Sequence, residues 1–233
     1  MKFIDKTRAD EFRKQDAKSK LGIYVFDNQY ILWALAKLGI LDDDDKTYIL
    51  DIIKSKQTKE GKLFSLDQQG KILRCLVLLE GNSNIVKNGI NYFIKTSKDI
   101  EEIDSVHHFE DQLSGFISLA EYHYKSFENE IKAKKEELLD CQNENGSYYS
   151  VSVRNNRSPS GFRANRIAIE FLSRTIDPEH ESIKKSIGYL QKQYQLLLEN
   201  TTDNNLSPDE LTDFLLSLVY AGKRNKKSDY HRN

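Results

Sequence analysis

The chain has 233 residues, enough for one large domain or two small ones, and its 35 basic side chains nearly balance 36 acidic ones for a formal charge of −1. That balance excludes a general polyanion-binding surface and argues against nucleic acid as a partner. With only 3 Pro and 11 Gly, breakers are too few for a β-sandwich, and 30% charged residues describe a soluble, helix-rich protein.

Residues 1–22 are densely charged, carry no sustained apolar stripe and read as an arm or surface helix. The opening Met1-Lys2-Phe3-Ile4-Asp5-Lys6 has no apolar h-region, so no secretory signal is expected. A helical domain follows over 23–222. Asn28 to Leu38 is apolar on nearly every side, as in a buried helix. The most apolar stretch, Tyr30 to Leu41, contains Lys37 and is too short to span a bilayer. Asp42 to Asp45 precede a segment from Lys46 to Gln57 whose apolar residues Tyr48, Ile49, Ile52 and Ile53 lie on one side, the pattern of an outer helix. The alternation recurs. Gln69 to Leu79, Leu113 to Tyr122, Asn165 to Leu172 and Leu211 to Ala221 are of the buried type; Ile85 to Thr96, Glu128 to Cys141 and Ile183 to Leu198 are one-sided. Residues 223–233 are basic and read as a disordered tail. Cys75 and Cys141 stand far apart inside helical segments, as reduced core thiols of a cytoplasmic protein do.

The segments also repeat. Ile53 to Phe64 aligns with Leu138 to Tyr149, each an outer helix ending in Gln, then three residues, Gly, and an aromatic close behind. Helix ends at Gln57, Thr96, Gln142 and Gln193 recur about every 45 residues, with one buried and one amphipathic helix per unit. Gly61 and Gly146 supply a left-handed turn after the outer helix, and the aromatic plugs the junction between hairpins.

Gln142-Asn143-Glu144-Asn145-Gly146-Ser147-Tyr148 resembles the repeat of squalene and terpene cyclases and of protein prenyltransferase β subunits, and Gln57 to Phe64 is a second copy with one extra residue before the aromatic. The resemblance covers roughly residues 24–222. It implies an all-α fold, an α/α toroid or partial toroid of about four to five helical hairpins, with inner helices around an apolar cavity. It also implies an isoprenoid or similar hydrophobic substrate, its polar head held by an arginine-rich loop. The other reading is a non-catalytic toroid-like module that binds a protein partner or small molecule in its central groove, with a second subunit or homo-oligomer completing it. The sequence leaves the cofactor undetermined.

Candidate residues follow. Asp43 and Asp44, within Asp42 to Asp45, match the acidic motif of class II terpene cyclases, where a buried carboxyl donates a proton; their place between a buried and an outer helix instead suits a helix cap. Arg154, Arg157, Arg163, Arg166 and Arg174 surround Ser158 to Phe162 at the start of a buried helix, and Arg157, Arg163 and Arg166 are the expected ligands of a diphosphate. Tyr30, Trp33 and Phe171 would line the hydrocarbon site. His107, His108 and Asp111 are weak candidates for a metal, because the Asp-x-Cys of prenyltransferases is replaced by Ile167-Ala168-Ile169.

Overall fold

The computed structural model describes residues 29–63, 68–103, 105–148, 160–200 and 208–222. Among these residues the regular structure is helical, with one isolated bridge joining Gln142 to Tyr148. The helices are α1 (Gln29–Lys37), α2 (Asp43–Lys56), α3 (Gln69–Glu80), α4 (Asn84–Thr96), α5 (Val106–Tyr122), α6 (Glu128–Asp140), α7 (Ser160–Thr175), α8 (Glu181–Asn200) and α9 (Pro208–Gly222). Single 3-10 turns precede and follow α5, at Ile100–Glu102 and Tyr124–Ser126. None of the described helices is long and apolar enough to cross a membrane. The expected arm over 1–22 and tail over 223–233 lie outside the described residues. The helices fall into two compact units, Met1–Thr96 and Ser97–Asn233.

In the first unit α3 packs between α1 and α4. Its residues Ile72 to Val77 are all buried, as an apolar-all-round segment demands. The helix α2 begins at Asp43, earlier than its apolar stripe, because a capping box sets its start. The Asp45 N–H donates to Asp42 Oδ1 at 2.8 Å, and the Asp42 N–H reaches back to Asp45 Oδ2 at 3.4 Å. Acids in the first turn and Lys54 and Lys56 in the last oppose the helix dipole at both ends. The first helix departs from expectation: Leu32 is fully buried, but Ile31 and Leu38 are exposed and Trp33 to Ala36 are half-buried.

In the second unit α5, α7 and α9 follow one another in contact, while α6 lies on α5 and α7, and α8 on α7 and α9. The buried and one-sided segments of the sequence thus become two rows of helices. Phe109 to Leu119 of α5 and Ala164 to Ser173 of α7 are buried without interruption. Phe116 meets Phe171 edge to face at 6.3 Å between ring centroids.

The turns after α2 and α6 are built alike, residue for residue. Gln57 Nε2 donates to the Ile85 carbonyl in the first turn of α4 at 2.9 Å, and Gln142 Nε2 donates to the Ser182 carbonyl in the first turn of α8 at 2.8 Å. The Thr58 N–H bonds the Lys62 carbonyl, and the Asn143 N–H bonds the Ser147 carbonyl. Gly61 and Gly146 donate to the carbonyls of Thr58 and Asn143. Both glycines have positive φ, 97° and 87°, and both press against the next outer helix. A Cβ at Gly61 would lie 2.1 Å from the Asn88 carbonyl oxygen, and one at Gly146 would lie 2.2 Å from that of Lys185. Each acceptor pair is spaced one helical turn, Ile85 and Asn88 in one unit, Ser182 and Lys185 in the other.

Two positions after each Gly the chain plugs the hairpin junction. Leu63 and Tyr148 are both buried, and their N–H groups donate to Gln69 Oε1 and Asn165 Oδ1 on the following buried helix. Leu63 therefore plugs the junction in the first unit; Phe64, the aromatic expected there, lies outside the described residues. The position requires bulk and a free N–H, and leucine supplies both. Gln193, expected at a helix end, sits inside α8, which continues to Asn200.

Candidate functional site

Polar residues recur on the buried faces of three helices in the second unit. On α7 they are Arg166, Glu170 and Arg174, four residues apart and so stacked on one face. On α5 they are Glu110 and Glu121, and on α9 Asp213 and Ser217. Arg166 Nε donates to Asp213 Oδ1 at 2.6 Å, Nη2 to Glu110 Oε1, and Nη1 contacts Glu170 Oε2 at 3.4 Å. Arg174 holds Glu170 Oε1 at 3.2 Å and Glu121 Oε1 at 3.3 Å, and its guanidinium lies 5.5 Å from the centre of the Tyr220 ring. Glu170 has no solvent exposure and bridges the two arginines.

Two guanidiniums thus face four carboxylates where water is scarce. Asp213 is the carboxyl of this cluster whose proton affinity is shifted. Burial raises its carboxyl above the ordinary 3.8; Arg166 pulls against that shift and the Glu110 charge adds to it. A carboxyl that protonates more readily folded than unfolded makes the folded state gain protons. Stability therefore falls as pH rises from about 3.8 through the raised value of Asp213. Urea unfolding followed upward from about pH 4 should give a more negative pH slope of stability in the parent than in Asp213→Asn. A slope of the same size in both proteins would assign it elsewhere.

Of the expected diphosphate ligands, Arg166 is engaged inside this cluster. Arg163 is only half-buried, with Nη1 3.5 Å from His107 Nδ1. Arg157 and Arg154 lie outside the described residues. Phe171 belongs to the packed interior against Phe116. Trp33, in the first unit, carries the Arg74 guanidinium 4.2 Å above its ring; Tyr30 lies in α1, and its side chain is not among those described. Asp43 is 97% exposed and pairs with Lys46, and Asp44 is exposed too. The cap reading of this acidic run is the one the geometry displays.

His107 is exposed, His108 is half-buried, and Asp111 is buried. No three His, Cys, Asp or Glu side chains converge as metal ligands among the described residues. Burial pushes the Cys75 thiol up to about 12 and also raises Cys141, so the environment disfavours the thiolate at both.

Glu110, Glu170 and Asp213 were not singled out from the sequence. The available signal was the Arg-x-x-x-Glu-x-x-x-Arg spacing from Arg166 to Arg174 inside an otherwise apolar segment, which puts an alternating charge stripe on one helix face.

Beside the cluster, an open groove of 640 Å³ runs between α8 and α9, lined by Gly188, Gln191, Lys192, Tyr194, Gln195 and Phe214. Tyr194 and Phe214 stack at 4.8 Å with 7° between their planes and form its aromatic wall. Phe162 supports Phe214 from beneath, edge to face at 6.3 Å. Exposed apolar side chains continue from the groove: Leu196 on α8, and Leu211, Leu215, Leu218 and Val219 on α9. Compared with protein-family models, curated proteins and solved structures, the chain matches none.

Proposed function

We propose that the chain is a non-catalytic helical-repeat module, related in construction to the terpene cyclase and prenyltransferase β-subunit repeat, that binds a protein partner along α8 and α9. The observation that carries this reading is the groove with its stacked Tyr194–Phe214 wall, its rim of Gln191, Lys192 and Gln195, and the exposed leucines beside it. Aromatic anchors within a polar rim are the composition of protein-binding surfaces. The matched turns at Gln57–Gly61 and Gln142–Gly146 support the repeat relationship, since both use the same bonds to the next outer helix.

An isoprenoid enzyme needs cations available to a diphosphate, and in the described residues Arg166 and Arg174 already hold carboxylates. Among the described residues, Arg163 is the expected ligand on which the isoprenoid reading would then rest.

One experiment addresses both readings. A photo-crosslinking residue placed at Gln195 should give discrete protein adducts in cells, and the same residue at the exposed Lys87 on α4 should not. In parallel, farnesyl diphosphate at about 100 times a micromolar dissociation constant would raise the melting temperature of an isoprenoid-binding protein by several degrees. Adducts at Gln195 without a thermal shift support the binding module. A shift abolished by Arg163→Ala, with no adducts at Gln195, would replace it with the isoprenoid reading.

A further inference from the structure

Gly188 stands inside α8, exposed, and a Cβ added there would meet nothing within 4 Å. Glycine weakens a helix interior more than any residue except proline. Other glycines of this fold have a steric reason. A Cβ at Gly89, also helical, would lie 3.2 Å from Leu63 Cδ1, and Gly61 and Gly146 press on backbone carbonyls. No described residue claims the space above Gly188. That space is the floor of the groove beside Phe214.

At 3.6 residues per turn, Gly188 and Gln195 fall nearly in line along α8, with Lys192 to one side and Gln191 and Tyr194 to the other. Tyr194 stacks on Phe214 of α9, so Lys192 and the aromatic wall flank the floor from opposite sides. Lys185, exposed one turn before Gly188, extends the basic flank. None of the lining side chains is acidic. Gln191 and Gln195 are one turn apart, a rise of about 6 Å. Peptide groups that face the same way on an extended chain recur every second residue, about 6.6–6.8 Å apart. A primary amide both donates and accepts, so the two glutamines can bond successive peptide groups of such a chain. A helix offers them nothing comparable, because its peptide groups are bonded internally and its side chains hold its backbone off the floor.

From a floor stripped to the backbone, two amides in strand register, and a basic flank facing an aromatic one, we propose that the groove takes an extended segment of a partner protein. Its main chain lies over Gly188 and along Gln191 and Gln195, and it carries a carboxylate beside an apolar anchor. The inference rests on the binding-module reading and gives the partner's chemistry. Successive side chains of a strand point opposite ways. The carboxylate that meets Lys192 and the apolar side chain that lies on Tyr194 and Phe214 are therefore neighbours in the partner's sequence. From Gly188 to Gln195 the floor runs about 10 Å, the length of roughly three extended residues. So short a contact makes the complex reversible.

Selection of random displayed peptides about 12 residues long against the full chain tests this. Enriched sequences should place Asp or Glu directly beside Phe, Tyr, Trp or Leu. Gly188→Gln should bind a selected peptide at least about tenfold more weakly, while its melting temperature rises by a few degrees, because α8 gains a better helix former at an open site. Lys192→Glu should turn the preferred neighbour of the anchor from acidic to basic. Unchanged affinity in Gly188→Gln, or an acidic preference that survives Lys192→Glu, overturns the proposal. Enriched peptides with apolar residues three and four apart and no adjacent acid overturn it in favour of a helical partner. Protein adducts at Gln195 without any enriched peptide would sink the extended-segment proposal and leave the binding-module reading standing. Absence of both adducts and enrichment would sink the two together.

Discussion

Arg166→Met is expected to lower the unfolding free energy by about 3–5 kcal/mol, the cost of breaking a buried ion network from one side. The side chain is 6% exposed and is bonded by Glu110, Glu170 and Asp213, none of them more than 13% exposed. Methionine fills much of the same volume, so the loss is electrostatic rather than a cavity effect. Glu110 and Asp213 lose a charged partner where water is scarce, and Glu170 loses Arg166 while keeping its contact with Arg174. Urea denaturation monitored by circular dichroism measures the difference. The fourfold variant Arg166→Met/Glu110→Gln/Glu170→Gln/Asp213→Asn should recover a large part of it, because removing every charge also removes the uncompensated ones. A loss below about 1 kcal/mol in Arg166→Met alone would mean the carboxylates are hydrated despite their depth.

Gly146→Ala is expected to cost about 2–4 kcal/mol, and Gly61→Ala a similar amount in its own unit. Two penalties combine at each position. A non-glycine residue at φ near +90° is strained by about 1–3 kcal/mol. The new methyl group also meets a backbone carbonyl of the next outer helix at 2.2 Å or 2.1 Å, and no rotamer change can move a backbone oxygen aside. Gly39 and Gly81 provide the control. Both have positive φ, 66° and 61°, but nothing lies within 4 Å of a Cβ there. Alanine at those two sites should cost only the strain, about 1–3 kcal/mol, without the added clash. Equal losses at all four glycines would show that the contact with the outer helix carries no weight.

The elements that sequence reading placed best are those whose signal is local. The alternation of all-round and one-sided apolar segments became two rows of helices in the second unit, and Gly146 and Tyr148 took the roles their order suggested, while Gln142 serves the following outer helix rather than the end of its own. Leu63 was harder to see, because the pattern was sought as an aromatic while the junction needs only a bulky apolar side chain with a free N–H. The extent of burial at α1 and α9 was overread for a different reason. An all-apolar helix tells that its faces avoid water, and Ile31, Leu38, Leu215 and Val219 show that a chain can leave such faces uncovered within its own fold. The arginine-rich segment was read as a ligand for an outside anion. The partners of Arg166 in the fold are distant in sequence, at Glu110 and Asp213, and no local pattern links residues so far apart before the helices pack.

The matched turns have a direction. Gln57 and Gln142 each reach forward to the helix that follows, and Gly61 and Gly146 rest on that same helix. Each hairpin is therefore latched by its successor, and truncation is not symmetrical. A unit shortened from its downstream end leaves a glutamine amide and a left-handed glycine with nothing to rest against, whereas one shortened from upstream keeps its remaining latches shut. Fraying should start where the last latch is missing and travel backward along the chain, and a repeat grafted onto either unit would settle more readily ahead of the existing hairpins than behind them.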